Sequence, residues 1–241
     1  MILNESGDEV LIKGVIFDID GTLYSYAAND KIATKFLCEF AEKNLGIDAE
    51  NFLKTYGEGR RIVKERLTDG GSRHSRVLFL QTTLELLGKN PFHYIKDMYD
   101  CYWNNFLAGM QPFDGAVDFI RKLKKRGIKT AICTDMTAQI QYRKINRLGL
   151  CEYMDFMVSS EETGLEKPSP VMFNLALKKL GVKADEAAYF GDSLERDIEG
   201  AANVGIKPFW YVAEKNFGDA PVDCVKVRSY REVADSKIFF E

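Results

Sequence analysis

Two aspartates, Asp18 and Asp20, stand directly after a short apolar run, Gly14-Val15-Ile16-Phe17. Further along, Thr134 and Asp135 follow Thr130-Ala131-Ile132-Cys133, and Gly191, Asp192 and Ser193 follow Ala187-Ala188-Tyr189-Phe190. A lysine, Lys167, lies in Glu166-Lys167-Pro168 just ahead of a helix-like stretch. A carboxylate can attack as a nucleophile or move protons, and its hard oxygens suit a divalent cation. An ammonium and a hydroxyl beside such a group would hold an anion. These residues are far apart in sequence, so the chemistry depends on whether the fold brings them together.

The elements that must do so are legible. Short apolar runs bounded by turn residues read as buried strands, here at residues 14–17, 130–133, 156–158, 187–190 and 207–212. Helical patterns lie between them: residues 115–126 stopped by Gly127, residues 138–148 with Gly149 behind, a helix with Pro170 near its start ending before Gly181, and another ending before Gly205. Strands alternating with helices imply a doubly wound, Rossmann-like parallel sheet of the α/β class. In such sheets ligands bind at the carboxyl ends of the strands. Asp18, Asp20, Thr134, Asp135, Asp192 and Lys167 all fall at that edge.

Residues 29–107 read differently. Ile32, Phe36, Leu37 and Phe40 fall at helical spacing before Gly46, Asp48 is placed to cap a second helix, a third runs from after Ser75 to Gly88, and Pro91 opens a fourth. No alternating strand pattern interrupts them. The expected organisation is an α/β core of residues 1–24 and 109–241, with a helical cap domain of residues 25–108 inserted after its first strand.

Of the 241 residues, 46% are hydrophobic, enough for a packed core, and the net charge of −3 leaves no footprint for nucleic acid or an anionic membrane. The five cysteines are scattered without a CxxC pair, which speaks against a disulfide framework or a zinc knuckle. The N-terminus lacks a basic stretch followed by an apolar one, and there is no apolar run long enough to span a membrane, so a cytoplasmic monomer or homodimer is expected.

DIDGTLY, CTD after a strand, EKPSP and GDSLERD resemble, in order and spacing, the four motifs of the haloacid dehalogenase superfamily. The helical insert resembles that superfamily's C1-type cap. The resemblance implies a Mg2+-dependent phosphatase acting on a small phosphorylated metabolite, such as a sugar phosphate, a nucleotide or a similar monoester, through an aspartyl-phosphate. Asp18 would be the nucleophile, because a carboxylate attacker splits the transfer into two easier halves. Asp18, the backbone carbonyl of Asp20 and Asp192 would hold Mg2+, with Asp197 supporting from outside. Asp20 would protonate the leaving oxygen and then activate water. Thr134, Asp135 and Lys167 would bind the transferring phosphoryl group. The second motif departs from the family's pattern at Met136, where a glycine or small residue is common, a departure that bears on substrate detail and not on the chemistry.

The cap carries basic residues in GEGRRIVKER and GGSRHSR. Arg60, Arg61, Arg73, His74 and Arg76 are candidates to grip a carboxylate or a second phosphate of the substrate, or else form a solvated helix face. Tyr94, Tyr99, Tyr102, Trp103 and Phe106 read as cap packing. A phosphosugar mutase of the same superfamily would share Asp18 and Asp20 but return the phosphoryl group to substrate. A phosphonatase would need a Schiff-base lysine from the cap, with Lys31, Lys35, Lys54 and Lys64 available. A non-catalytic binding protein on this fold is disfavoured by the intact nucleophile, acid and lysine. Linkers near residues 24–29 and 107–113 would let the cap swing as a lid.

Overall fold

The computed structural model describes residues 2–3, 9–212, 220–234 and 236–240. Six strands form one parallel sheet: β1 (Gly14–Phe17), β2 (Lys129–Thr134), β3 (Phe156–Ser159), β4 (Ala187–Gly191), β5 (Lys207–Tyr211) and β6 (Val225–Val227), in the order β3-β2-β1-β4-β5-β6. The first five match the sequence reading to within a residue or two. The sixth and a separate antiparallel pairing of Ile2–Leu3 with Glu9–Val10 are too short to show a period and were not expected.

The central strand explains the layers. Every residue of β1 is buried, with Val15 and Phe17 in one apolar cluster and Ile16 in another. Successive side chains leave a strand on opposite faces, so a strand covered on both sides must be apolar throughout. One face is covered by α5 (Ala116–Lys125) and by Tyr230–Ala234 and Lys237–Phe240 near the C-terminus, where Phe17, Phe119, Phe190, Phe209, Tyr230 and Phe239 pack ring on ring. The other is covered by α7 (Pro170–Leu180), through Met172, Phe173 and Ala176.

Register decides where the polar residues emerge. Phe17 pairs with Ile132 on one side and Phe190 on the other, so β1, β2 and β4 end nearly level. The strand order reverses between β1 and β4, which opens a crevice at their carboxyl ends. Asp18 and Asp192 flank it.

Four helices intervene between β1 and α5: α1 (Tyr26–Leu45), α2 (Ala49–Arg66), α3 (Arg76–Leu86) and α4 (Pro91–Ala108). Asp48 caps α2 by accepting from Asn51 N–H at 2.9 Å, and Pro91 stands in the first turn of α4, both as the sequence suggests. Helix α1 packs on α4 and α2 on α3. Tyr102, Trp103 and Phe106 of α4 are buried, while Tyr94 and Tyr99 are half-buried. The stretches joining these helices to the sheet run side by side: Tyr24 bridges to Pro112, and Phe113 N–H donates to Leu23 C=O at 2.8 Å. Among the described residues no helix is long and apolar enough to cross a membrane.

Candidate active site

Asp18 leaves the end of β1 with its N–H donating to Phe190 C=O at 2.8 Å, which aims its side chain into the crevice. Its Oδ1 accepts from Lys167 Nζ at 2.6 Å and its Oδ2 from Thr22 Oγ1 at 3.2 Å. The same ammonium donates to Asp197 Oδ1 at 2.7 Å, and the Tyr189 hydroxyl donates to that oxygen at 2.9 Å. All four of Asp18, Lys167, Tyr189 and Asp197 are buried. Burial pulls the Lys167 ammonium down, but Asp18, Asp197 and Asp135 together hold it well above the usual lysine range. Burial pushes the Asp18 carboxyl up, to about 8; Lys167 opposes the rise, and Asp197, Asp192 and Asp20 add to it.

Asp197 reaches this cluster because the chain after β4 winds as a π-helix, Leu194–Glu199, and because Gly191 has no side chain where Asp197 lies. Gly21 plays the matching part after β1: at φ +93° it takes a backbone conformation suited to glycine, and a Cβ there would collide with the Asp192 carboxylate. Asp18, Asp192 and Asp197 thus place carboxylate oxygens within 4.8 Å of one another. Three carboxylates so close together, an oxygen-only donor set, fit a hard divalent cation.

Asp20 is held by a different group. Lys144 Nζ of α6 (Ala138–Arg147) donates to both Asp20 oxygens at 2.7 Å, Gln141 Nε2 reaches Oδ2 at 3.3 Å, and the Tyr24 hydroxyl bonds Oδ1. Lys144 is fully buried, with the rings of Tyr24, Tyr26, Trp103 and Phe106 all within 6 Å of its ammonium. Burial pushes the Asp20 carboxyl up, but Lys144, Tyr24 and Gln141 outweigh it and leave Asp20 below its ordinary value. Burial in turn draws the Lys144 ammonium below its ordinary value, against the pull of Asp20. Sequence reasoning missed Lys144 and Gln141. The signal was there: both share the buried face of α6 with Ile140 and Ile145, where apolar residues are the rule.

Thr134 Oγ1 does not cap α6; it accepts from Gln141 Nε2 at 2.7 Å beside the crevice. Asp135 lines the cavity as well, its carboxylate accepting from Lys167 N–H at 3.0 Å and pairing with Arg196, which sequence reasoning also missed. Met136, the departure from the motif, sits at φ +90°, the backbone region that favours glycine. Its N–H donates to Ser160 Oγ at 3.0 Å and its side chain is buried at the cavity wall.

A cavity of about 1050 Å³ extends from Asp18 and Asp192 to α2 and α3. The cap residues expected to reach substrate divide there. Arg60 lines the cavity, as does Lys64 one helical turn on. Arg61 points the other way, exposed and bonded to Glu58 and Glu65 at 2.6 Å. Arg73 and His74 reach back to the sheet domain, where Glu166 lies 3.4 Å from Arg73 and 2.8 Å from His74 Nε2, and His74 also lines the cavity. Arg76 also lines the cavity, buried against the rings of Phe79, Tyr102 and Trp103, bonded to the Tyr26 and Tyr102 hydroxyls and 3.4 Å from Asp30. Of the four candidate Schiff-base lysines Lys64 alone lines the cavity; Lys31, Lys35 and Lys54 are exposed.

Residues 12–205 match the family model of haloacid dehalogenase-like hydrolases. The chain belongs to that family. Its relatives include a ribulose-1,5-bisphosphate 5-phosphatase of Halopiger xanaduensis, 38% identical over 80% of this chain and 82% of that one. A glyceraldehyde 3-phosphate phosphatase of Methanocaldococcus jannaschii is 32% identical over 81% of this chain and 83% of that one. Among solved structures, the HAD-hydrolase YfnB of Bacillus subtilis, bound to magnesium, superposes with a TM-score of 0.69 at 22% identity, over 92% of this chain and 97% of that one. A 2-haloacid dehalogenase of Pseudomonas syringae superposes at 0.72 and 22%, over 92% and 96%. Structural likeness at these identities establishes the fold that this haloacid dehalogenase-like hydrolase shares with them; chemistry is argued from its residues.

Proposed function

We propose that this hydrolase is a Mg2+-dependent phosphatase that takes the phosphoryl group of a small phosphorylated sugar onto Asp18 and passes it to water. The observation that carries the reading is the buried Asp18–Lys167–Asp197 cluster at the floor of a cavity, with Asp20 held two residues from the nucleophile. Asp18 and Asp192, with the backbone carbonyl of Asp20 and the neighbouring Asp197 carboxylate, would hold Mg2+. Bound there, the ion supplies positive charge that screens the Asp18 carboxylate from an anionic phosphate.

This chain's own residues do the rest. An Asp18 oxygen attacks phosphorus and forms the aspartyl-phosphate as the bond to the leaving oxygen breaks. Lys167 and Thr134 meet the charge on the transferring group. Asp20, which must first take up a proton against the pull of Lys144, gives it to the leaving oxygen, then takes one from the water that releases phosphate and regenerates Asp18. Residues 25–108 act as a cap over this chemistry, on a core of residues 1–24 and 109–241. The relatives named for a pentose bisphosphate and a triose phosphate support a phosphorylated sugar as substrate.

Phosphate release should be measured from a panel of sugar phosphates and an aryl phosphate, with Mg2+ and with chelator. The expected result is release that needs Mg2+ and vanishes in Asp18→Asn. Full activity in chelator, or near-normal rates in Asp18→Asn, overturns the mechanism; phosphoryl transfer to a second sugar without free phosphate makes the enzyme a mutase.

A further inference from the structure

Arg60 and Lys64 lie one turn apart on α2, half-buried, and both line the cavity that ends at Asp18. Neither pairs with a carboxylate among the described residues. Arg60 rests on the rings of Tyr56 and Phe79, and Lys64 keeps company with Arg60, Arg73 and Arg76. The acids that might neutralise them are committed elsewhere: Glu166 to His74, Arg73 and Arg196, Asp30 to Arg76 and Tyr102, and Asp69 to the N–H groups of Gly70 and Glu166. Like charges brought together and partly desolvated raise the free energy of the empty site, and an anion placed between them lowers it. Arg61, next in sequence but facing outward, is by contrast satisfied by two glutamates.

We propose that Arg60 and Lys64 form a second anion site, which binds a second phosphate of a sugar bisphosphate while its first phosphate meets Asp18. The inference rests on the phosphatase reading for the orientation of the substrate. A phosphate group carries a charge near −2 at neutral pH, which matches two cations, whereas a carboxylate carries one. Arg60 offers a planar pair of donors and Lys64 a point charge, a combination suited to phosphate oxygens. The cavity, about 1050 Å³, holds a sugar between the two ends.

The test is calorimetric, so that it stands apart from turnover. In the Asp18→Asn protein with Mg2+, the affinities of ribulose 1,5-bisphosphate, ribulose 5-phosphate and 3-phosphoglycerate are compared, then measured again after adding Arg60→Ala, Lys64→Ala, Arg60→Lys or Arg61→Ala. Charge-assisted bonds to phosphate predict that the bisphosphate binds roughly ten- to a hundredfold tighter than the monophosphate. Arg60→Ala and Lys64→Ala should each collapse that ratio toward one, Arg60→Lys should keep most of it, and Arg61→Ala should keep all of it. Equal affinity for bisphosphate and monophosphate overturns the proposal, as does a ratio that survives both alanine changes, or one that belongs to 3-phosphoglycerate instead. Absence of phosphate release by the unmodified enzyme, with the binding ratio intact, would count against the phosphatase reading and leave the anion site standing.

Discussion

Asp20 has two tasks in the reaction, proton donor and then proton acceptor, and Lys144 bears on both. Two bonds of 2.7 Å fix the carboxylate's direction, and the buried ammonium lowers its affinity for a proton. Lys144→Met should therefore cost stability, about 3 kcal/mol for breaking a buried pair, and should lower kcat by ten- to a hundredfold, part of what a general acid–base group supplies. With the ammonium gone, the Asp20 carboxyl rises, so the acidic limb of the kcat profile moves to higher pH. Lys144→Arg should restore that limb. An unmoved limb in Lys144→Met would show that Lys144 only packs. Asp18 makes a separate prediction for the metal-free chain. Folded, it keeps its proton to about 8; unfolded, it loses it near pH 4. Between those values the folded chain binds the extra proton, so its stability falls as pH rises, and the fall ends above about 8. Thermal midpoints in chelator from pH 5 to 8 should drop more steeply in the unmodified protein than in Asp18→Asn, and Mg2+ should recover the difference. Parallel slopes in the two proteins would remove the burial of Asp18 as the cause.

Among the elements, the α2–α3 pair does the most to shape the cavity, because it carries Arg60 and Lys64. Gly59 sets how closely the two approach: a Cβ there would lie 2.7 Å from Thr83 Oγ1 and 3.2 Å from Phe79 C=O. Gly59→Ala should wedge the helices apart, destabilise the fold by roughly 1–3 kcal/mol as overpacking does, and weaken binding at Arg60. A thermal midpoint at or above that of the parent would mean that the pair has room to spare. The alternating strands, the Asp48 cap and the Pro91 start were legible because each is a local signal, a period or a cap residue, that survives in the finished fold. So was the convergence of Asp18, Lys167, Asp192 and Asp197, which follows from sheet topology and motif resemblance. What could not be read were side-chain pairings across elements. The pairing of Arg73 with Glu166 was one of these, because a basic cluster in a loop carries no mark of its partner and Glu166 lies some ninety positions away. Lys144 was marked as a cation on an apolar helix face, but its acid, Asp20 on another element, was not. Strand β6 escaped because three residues are too few for a pattern to show.

Across the whole molecule, the four inserted helices touch the sheet domain in two places beyond the paired connecting stretches. One is α6, where Lys144 lies against Trp103 and Phe106 of α4, Arg143 donates to Asn104, and Arg147 donates to the Leu107 and Ala108 carbonyls. The other is Glu166, which accepts the cap's Arg73 and His74 and whose own N–H donates to Asp69 at 2.6 Å. Gly70 and Gly71 let the cap loop lie directly on Gly164, Met136 and Glu161 at that contact, too close for a side chain at Gly71. Glu166 precedes Lys167, so the point where the cap is fastened adjoins the ammonium that binds Asp18. Burial raises the Glu166 carboxyl, yet His74, Arg196 and Arg73 prevail and keep it below the usual glutamate range, so it stays charged at neutral pH. The cap as arranged here is thus fastened by an ionic contact at Glu166 on one side and by α4 against α6 on the other; loss of the ionic contact should let it pivot about the connecting stretches. Glu166→Gln keeps the shape and removes the charge; it should increase the radius of gyration of the substrate-free protein in small-angle scattering and lower kcat/KM by roughly tenfold, the worth of one charge-assisted contact. Because Glu166 neighbours Lys167, the paired change Arg73→Ala with His74→Ala on the cap side is the deciding companion. If closure is the cause, both proteins open and both lose activity together. Should Glu166→Gln alone lose activity while neither protein expands, Glu166 positions Lys167 and the cap is held shut by its packing on Met136 and Lys144.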